Sequence, residues 1–130
     1  MRILPDTQIY LWFLADAPRL PDEAKSLISA TGDVQVSTVS IGESCIKIAI
    51  GKLDADPKDL LSGIEGSGFK ELPITVEHAA LVADLRVHHR DPLDRLLIAQ
   101  ALAGPLILLS SDAILTEYSD LVKLVRAADG

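Results

Sequence analysis

Four carboxylates spread along the 130 residues, Asp6, Glu43, Asp94 and Asp112, are the side chains with the most chemistry to offer. Asp6 and Asp112 each follow a short apolar stretch of the kind that forms a buried strand. Glu43 and Asp94 fall near the starts of helical segments. Carboxylates gathered in a half-buried crevice repel one another by roughly several kcal/mol, and hard divalent cations with oxygen ligands relieve that repulsion. Mg²⁺ or Mn²⁺ held by such a set would lower the pKa of a bound water and neutralise charge building on a phosphodiester. Two ions about 4 Å apart would divide these tasks between attacking and leaving oxygens. The chemistry indicated is metal-assisted hydrolysis.

Taken singly, each acid has a plainer reading. Asp6, Asp91 and Asp112 stand where helix N-caps stand, and Asp91-Pro92-Leu93-Asp94 has a cap, proline at the first helical position and an acid two residues on. Glu43 precedes Lys47 by four residues, the favourable direction for a helical ion pair. A site is distinguished from a set of caps only if the fold brings the four acids together, so the elements that would position them decide the matter.

Arg2 to Asp6 reads as a buried strand, followed by a helix with Ile9, Trp12 and Phe13 on one face. Pro21-Asp22-Glu23 opens a second helix that stops at Thr31-Gly32, and Val34 to Ser37 is the second strand. Ile41, Cys45 and Ile48 share a face of a third helix, Ile41 to Ile50. Asp56-Pro57-Lys58-Asp59 starts a further helix, Gly66-Ser67-Gly68 is a turn, and Phe69 to Ile74 is the third strand. Thr75 caps a helix whose apolar side runs through Val87, Arg90-Asp91-Pro92 breaks it, and Leu93 to Ala103 is the next helix. Leu106 to Leu109 and Leu121 to Val125 complete five strands.

Strands alternating with helices predict an α/β fold, a parallel sheet covered on both faces, with ligands bound beyond the carboxyl ends of the strands. A strand order of 3-2-1-4-5 would set Asp6 beside Asp112, although periodicity alone leaves the order open. The length suits one domain spanning residues 1–130. At 48% hydrophobic and 24% charged the chain is globular in composition, and with 4% aromatics its core must be aliphatic. The longest strictly apolar run, Ile9 to Ala15, falls well short of the ~18 residues a bilayer requires, so no membrane association is expected. Cys45 is the sole cysteine, which points to a reducing cytoplasm. A net charge of -7 excludes a protein that holds nucleic acid by a general basic surface. Two divalent ions would offset part of that charge and place positive charge where phosphate must go.

Leu4-Pro5-Asp6-Thr7, Val39-Ser40-Ile41-Gly42-Glu43 with Lys47 and Gly51-Lys52-Leu53, the run from His89 to Ala101, and Leu109-Ser110-Ser111-Asp112 resemble, in that order, the VapC-like PIN-domain toxins. The resemblance runs nearly end to end. It implies a three-layer α/β/α fold with a sheet of four to five strands in the order 3-2-1-4-5. It also implies an endoribonuclease that needs Mg²⁺ or Mn²⁺ and acts as the toxin of a toxin-antitoxin pair. Metal binding and catalysis transfer to Asp6, Glu43, Asp94 and Asp112, with Asp91 left as the helix cap and Ser111 beside Asp112 as an orienting residue. The implied partners are an RNA substrate, a cognate antitoxin bringing a basic residue to the acids, and a second copy of the chain. Three residues depart from the family pattern. Pro5 predicts a first strand that ends one residue early, Gly42 stands where an aromatic is usual, and Gln8 replaces histidine or asparagine.

The remaining candidates are weaker. His88, His89, Arg90 and Arg95 could touch an RNA backbone or form a solvated helix end. Tyr10 and Trp12 suit either the core or a partner groove. Cys45 lacks an evident base and reads as a small apolar residue. Two alternative functions fit the same pattern: a degenerate PIN domain that only binds RNA or protein, and a receiver-like phosphoacceptor domain. The second would need paired acids after the first strand and a lysine after the last, whereas Lys123 falls inside the fifth.

Overall fold

The computed structural model describes residues 1–85 and 91–128. Among them the chain alternates strand and helix: β1 (Ile3–Pro5), α1 (Thr7–Leu14), α2 (Asp22–Ala30), β2 (Gln35–Ser37), α3 (Thr38–Ala49), α4 (Pro57–Gly66), β3 (Lys70–Leu72), α5 (Val76–Leu81), α6 (Pro92–Ala103), β4 (Ile107–Ser110) and β5 (Val122–Leu124). Short 3₁₀ turns cover Val82–Asp84 and Ala113–Glu117.

All strand pairs are parallel. β1, β4 and β5 form one ladder and β2 with β3 another, and among the described residues a single bridge between Ile3 and Val34 joins them, giving the expected order 3-2-1-4-5. Pro5 accounts for the narrowness of that joint. The Ile3 amide donates to the Asp33 carbonyl at 2.9 Å, so the amide two residues on would face the same neighbour, and there the residue is proline, which has no hydrogen to give. Pro5 nevertheless stays in β1, opposite Leu109, because its other edge asks nothing of its nitrogen. β1 ends at Pro5, one residue short of Asp6 as expected, and the proline also ends the ladder to β2.

Alternation along the strands builds the two faces. Leu4 and Leu108 point into a cluster with Val39 of α3 and Leu97, Ile98 and Ala101 of α6. Their neighbours Ile3 and Leu109 point the other way, onto Ile9 of α1 and Ala24 and Ile28 of α2. The result is the three-layer α/β/α arrangement, with an aliphatic core on each side of the sheet. Tyr10 belongs to this interior: it is buried, and its hydroxyl donates to the Leu60 carbonyl at 2.6 Å. Burial pushes its phenol up to about 12. Trp12 is half-buried against the α1–α2 core, with the Arg19 guanidinium 5.4 Å from its ring centre.

Most strand ends shift by a residue or two from the sequence reading, and two helix boundaries differ by more. α3 begins at Thr38 rather than Ile41, because the Ser37 hydroxyl accepts from the Val39 amide and caps it at once. Glu43 therefore lies in the second turn instead of the first. The helix read as running through Val87 leaves α-geometry after Leu81, and the Arg95 side chain reaches across from α6 to donate to the carbonyls of Val82 (3.0 Å) and Leu85 (3.2 Å). One guanidinium nitrogen of Arg95 thus braces that turn. His88, His89 and Arg90 lie outside the described residues.

Candidate functional site

The parallel arrangement places every strand's carboxyl end on one edge, and the four acids converge there. Asp6 follows β1 directly, Glu43 is on the helix leaving β2, Asp94 is in the first turn of α6, and Asp112 comes two residues after β4. All four line one cleft of about 140 Å³, together with Asp91, Lys47 and Ser111.

Capping and convergence turn out to be compatible. The Asp6 carboxylate takes the Ile9 amide on Oδ1 at 2.9 Å, Asp91 takes the Leu93 amide at 2.9 Å, and Asp112 takes the Ile114 amide at 3.1 Å. Each cap uses one oxygen and thereby fixes the orientation of the whole group. Asp6 is the most enclosed, 7% exposed, and its second oxygen accepts from the Ser110 hydroxyl at 2.6 Å. Burial pushes this carboxyl up to about 6 from its ordinary 3.8, against the lowering effect of the Ser110 and Ile9 hydrogen bonds; Asp94 and, after it, Glu43 raise it further.

Ser110 is the residue that sequence reasoning missed. Ser111, the expected orienting group, lines the cleft, but Ser110 is fully buried as the last residue of β4. It also accepts the Asp112 amide at 3.0 Å, tying two of the acids together. The inward alternation of β4 was the available signal: Ser110 occupies the same face as Leu108. On the other side, the Thr7 hydroxyl donates to Ser40 at 3.0 Å and links the start of α1 to α3, while Ser37 donates to Gln100 at 2.5 Å and links α3 to α6. These buried polar contacts join the three helices that present acids to the cleft.

Glu43 has an asymmetric environment. Its Oε2 lies 3.2 Å from the Lys47 ammonium, whereas its Oε1 is buried without a hydrogen-bond partner. Among the described residues, no three His, Cys, Asp or Glu side chains are drawn close enough to enclose an ion as they stand.

The sequence matches the PIN domain family over residues 3–121, nearly the whole chain. The chain belongs to the PIN domain family. No curated protein matches its sequence. Solved structures do match its PIN fold. A chain of VapBC2 from Rickettsia felis, bound to a promoter DNA fragment, superposes with a TM-score of 0.71 at 13% identity, covering 98% of this chain and 100% of that one. A chain of DNA-bound VapBC from Salmonella typhimurium gives 0.68 at 15%, covering 97% and 98%. A chain of a toxin-antitoxin complex from Klebsiella pneumoniae gives 0.60 at 18%, covering 85% and 86%. At these identities the likeness is one of fold, and the PIN-domain strand order agrees with it.

Proposed function

We propose that this PIN domain is a metal-dependent endoribonuclease, cleaving RNA with Mg²⁺ or Mn²⁺ as the toxin of a toxin-antitoxin pair in the cytoplasm. The observation that carries the reading is the convergence of Asp6, Glu43, Asp94 and Asp112 on one cleft from four separate parts of the chain. The donor set suits a hard divalent cation, being made of oxygen alone, and the unpartnered, buried Oε1 of Glu43 is an atom in want of a positive neighbour. Asp6, Glu43, Asp94 and Asp112 would hold the ion, which when bound supplies an activated water and charge neutralisation at the phosphodiester.

The chain's own residues prepare for this. Ile9 and Ser110 fix both oxygens of Asp6 in direction, leaving each with lone-pair capacity for a cation. The first turns of α1 and α6 open at this edge, so their amides lend partial positive charge to an approaching phosphate. A phosphoacceptor reading has no support from Lys123, which sits within β5 and pairs with Glu23 at 3.3 Å. The toxin role is supported by family membership and by a structural neighbour solved as a toxin-antitoxin complex. A cognate antitoxin is the partner this reading requires, and a homodimer is the assembly the resemblance implies.

The test is incubation of purified protein with RNA and Mg²⁺ or Mn²⁺, beside the variants Asp6→Asn and Asp94→Asn. Cleavage should fall by roughly two orders of magnitude or more in each variant. Cleavage that survives both substitutions would refute the assigned site, and RNA binding without cleavage in the wild type would favour a degenerate domain.

A further inference from the structure

Lys47 is a cation already present in the cleft. It lines the same hollow as Asp6, Asp91, Asp94, Asp112 and Glu43, and its ammonium lies 3.2 Å from Glu43 Oε2. The pair is one helical turn apart on α3 with the acid on the amino-terminal side, a spacing that lets the two side chains meet without distorting the helix. Side-chain exposure is 40% for Lys47 and 14% for Glu43, so the lysine stem reaches in from solvent while the carboxylate is held largely within. Lys47 satisfies only one carboxylate oxygen, and the other remains buried and unpartnered.

An exposed pair that merely decorates a helix would leave both glutamate oxygens to water. Here one is sequestered, and the acid group as a whole is not gathered tightly round a common point. The acidity of the cleft is relieved by a monovalent charge at its edge, drawn to the one acid that sits a full helical turn inside α3. A divalent ion entering the cleft competes with that charge for Glu43. The competition is electrostatic and needs no rearrangement of the backbone, since a lysine stem swings between rotamers in solvent.

We propose that Lys47 is a positioning residue that holds Glu43 in the metal-free protein and must surrender it for a divalent cation to bind, thereby setting the metal concentration at which the site fills. The inference rests on the metal-site reading above and concerns this chain's own lysine. Removing a unit positive charge this close to a half-buried site tightens divalent binding, whereas a surface ion pair of no consequence leaves it unchanged.

The experiment measures Mn²⁺ binding to the full chain by calorimetry, without RNA, for the wild type, Lys47→Met, Lys47→Arg and Asp94→Asn. Lys47→Met should bind Mn²⁺ about tenfold more tightly, and Lys47→Arg should return the affinity to within about twofold of the wild type. Mn²⁺ should also raise the melting temperature of Lys47→Met more than that of the wild type at the same concentration. Unchanged or weaker binding by Lys47→Met, with wild-type binding abolished by Asp94→Asn, would overturn this role for Lys47 while leaving the metal site standing. Absence of Mn²⁺ binding at millimolar concentration in the wild type and Lys47→Met alike would overturn the site itself, and the role of Lys47 with it.

Discussion

At the scale of single residues, Asp6 sets burial against charge. Its carboxyl is pushed up to about 6 in the folded protein against 3.8 ordinarily, chiefly by burial. The native state therefore holds this proton more tightly than the unfolded chain does. The stabilisation is complete below about pH 3.8 and is lost as pH rises through about 6, by an amount on the order of 3 kcal/mol for a shift of this size. Metal-free protein should accordingly lose stability from this group between about pH 4 and pH 7, and chemical denaturation across that range measures it. Asp6→Asn should remove the loss, making the metal-free protein more stable at pH 8 by about 1–3 kcal/mol, because the uncharged amide still accepts from the Ile9 N–H through its oxygen while its NH2 donates to the Ser110 hydroxyl oxygen. A variant less stable than wild type at pH 8 would mean that the ionised carboxylate is well solvated. The four acids were legible in the sequence because each sits at a recognisable boundary. Ser110 was not singled out, since the alternation that turns it inward does not say that a carboxylate from another strand lies beside it.

Among the elements, α3 shows where local signals mislead. Val36-Ser37-Thr38-Val39 is β-branched and polar by turns, and reads as strand continuing into loop. One hydroxyl at Ser37 starts the helix instead, and the position of Glu43 within it shifts accordingly. Gly42 then lies inside the helix, exposed, and a methyl group there would meet no heavy atom within 4 Å. Gly42→Ala should therefore stabilise the protein by about 0.5–1 kcal/mol, through helix propensity and a less free unfolded chain. A shift in the urea midpoint at constant slope checks this, and a destabilised variant would show that the glycine serves a partner surface. The end of α5 was misread for a non-local reason. The Arg95 contacts that close it come from another helix, and no window of sequence around Leu81 contains them. Strand and helix identities elsewhere followed from periodicity because the two aliphatic cores reward it directly.

For the whole molecule, the net charge of -7 and the acidic cleft favour a cation that stabilises the fold. Divalent metal that binds only the native state at ten times its dissociation constant adds about 1.4 kcal/mol, so Mn²⁺ should raise the melting temperature by roughly 3–5 °C and chelation should reverse it. An equal effect of Mn²⁺ on Asp94→Asn would place the binding elsewhere on the surface. The strand order was legible only through the family resemblance, since the pairings that define it join residues as distant as Ile3 and Ile107.

Proline at position 5 has a mechanical meaning for the cleft above it. Asp6 and Asp112 are mounted on the three-strand ladder, and Glu43 grows out of the two-strand one, so the acids stand on opposite banks of a seam crossed by a single backbone bridge. Widening or narrowing that gap disturbs little main-chain bonding on either bank. The span between the glutamate and the aspartates is thus held by side chains, the Thr7–Ser40 and Ser37–Gln100 hydrogen bonds and the packing of Val39 among the leucines, more than by a continuous ladder.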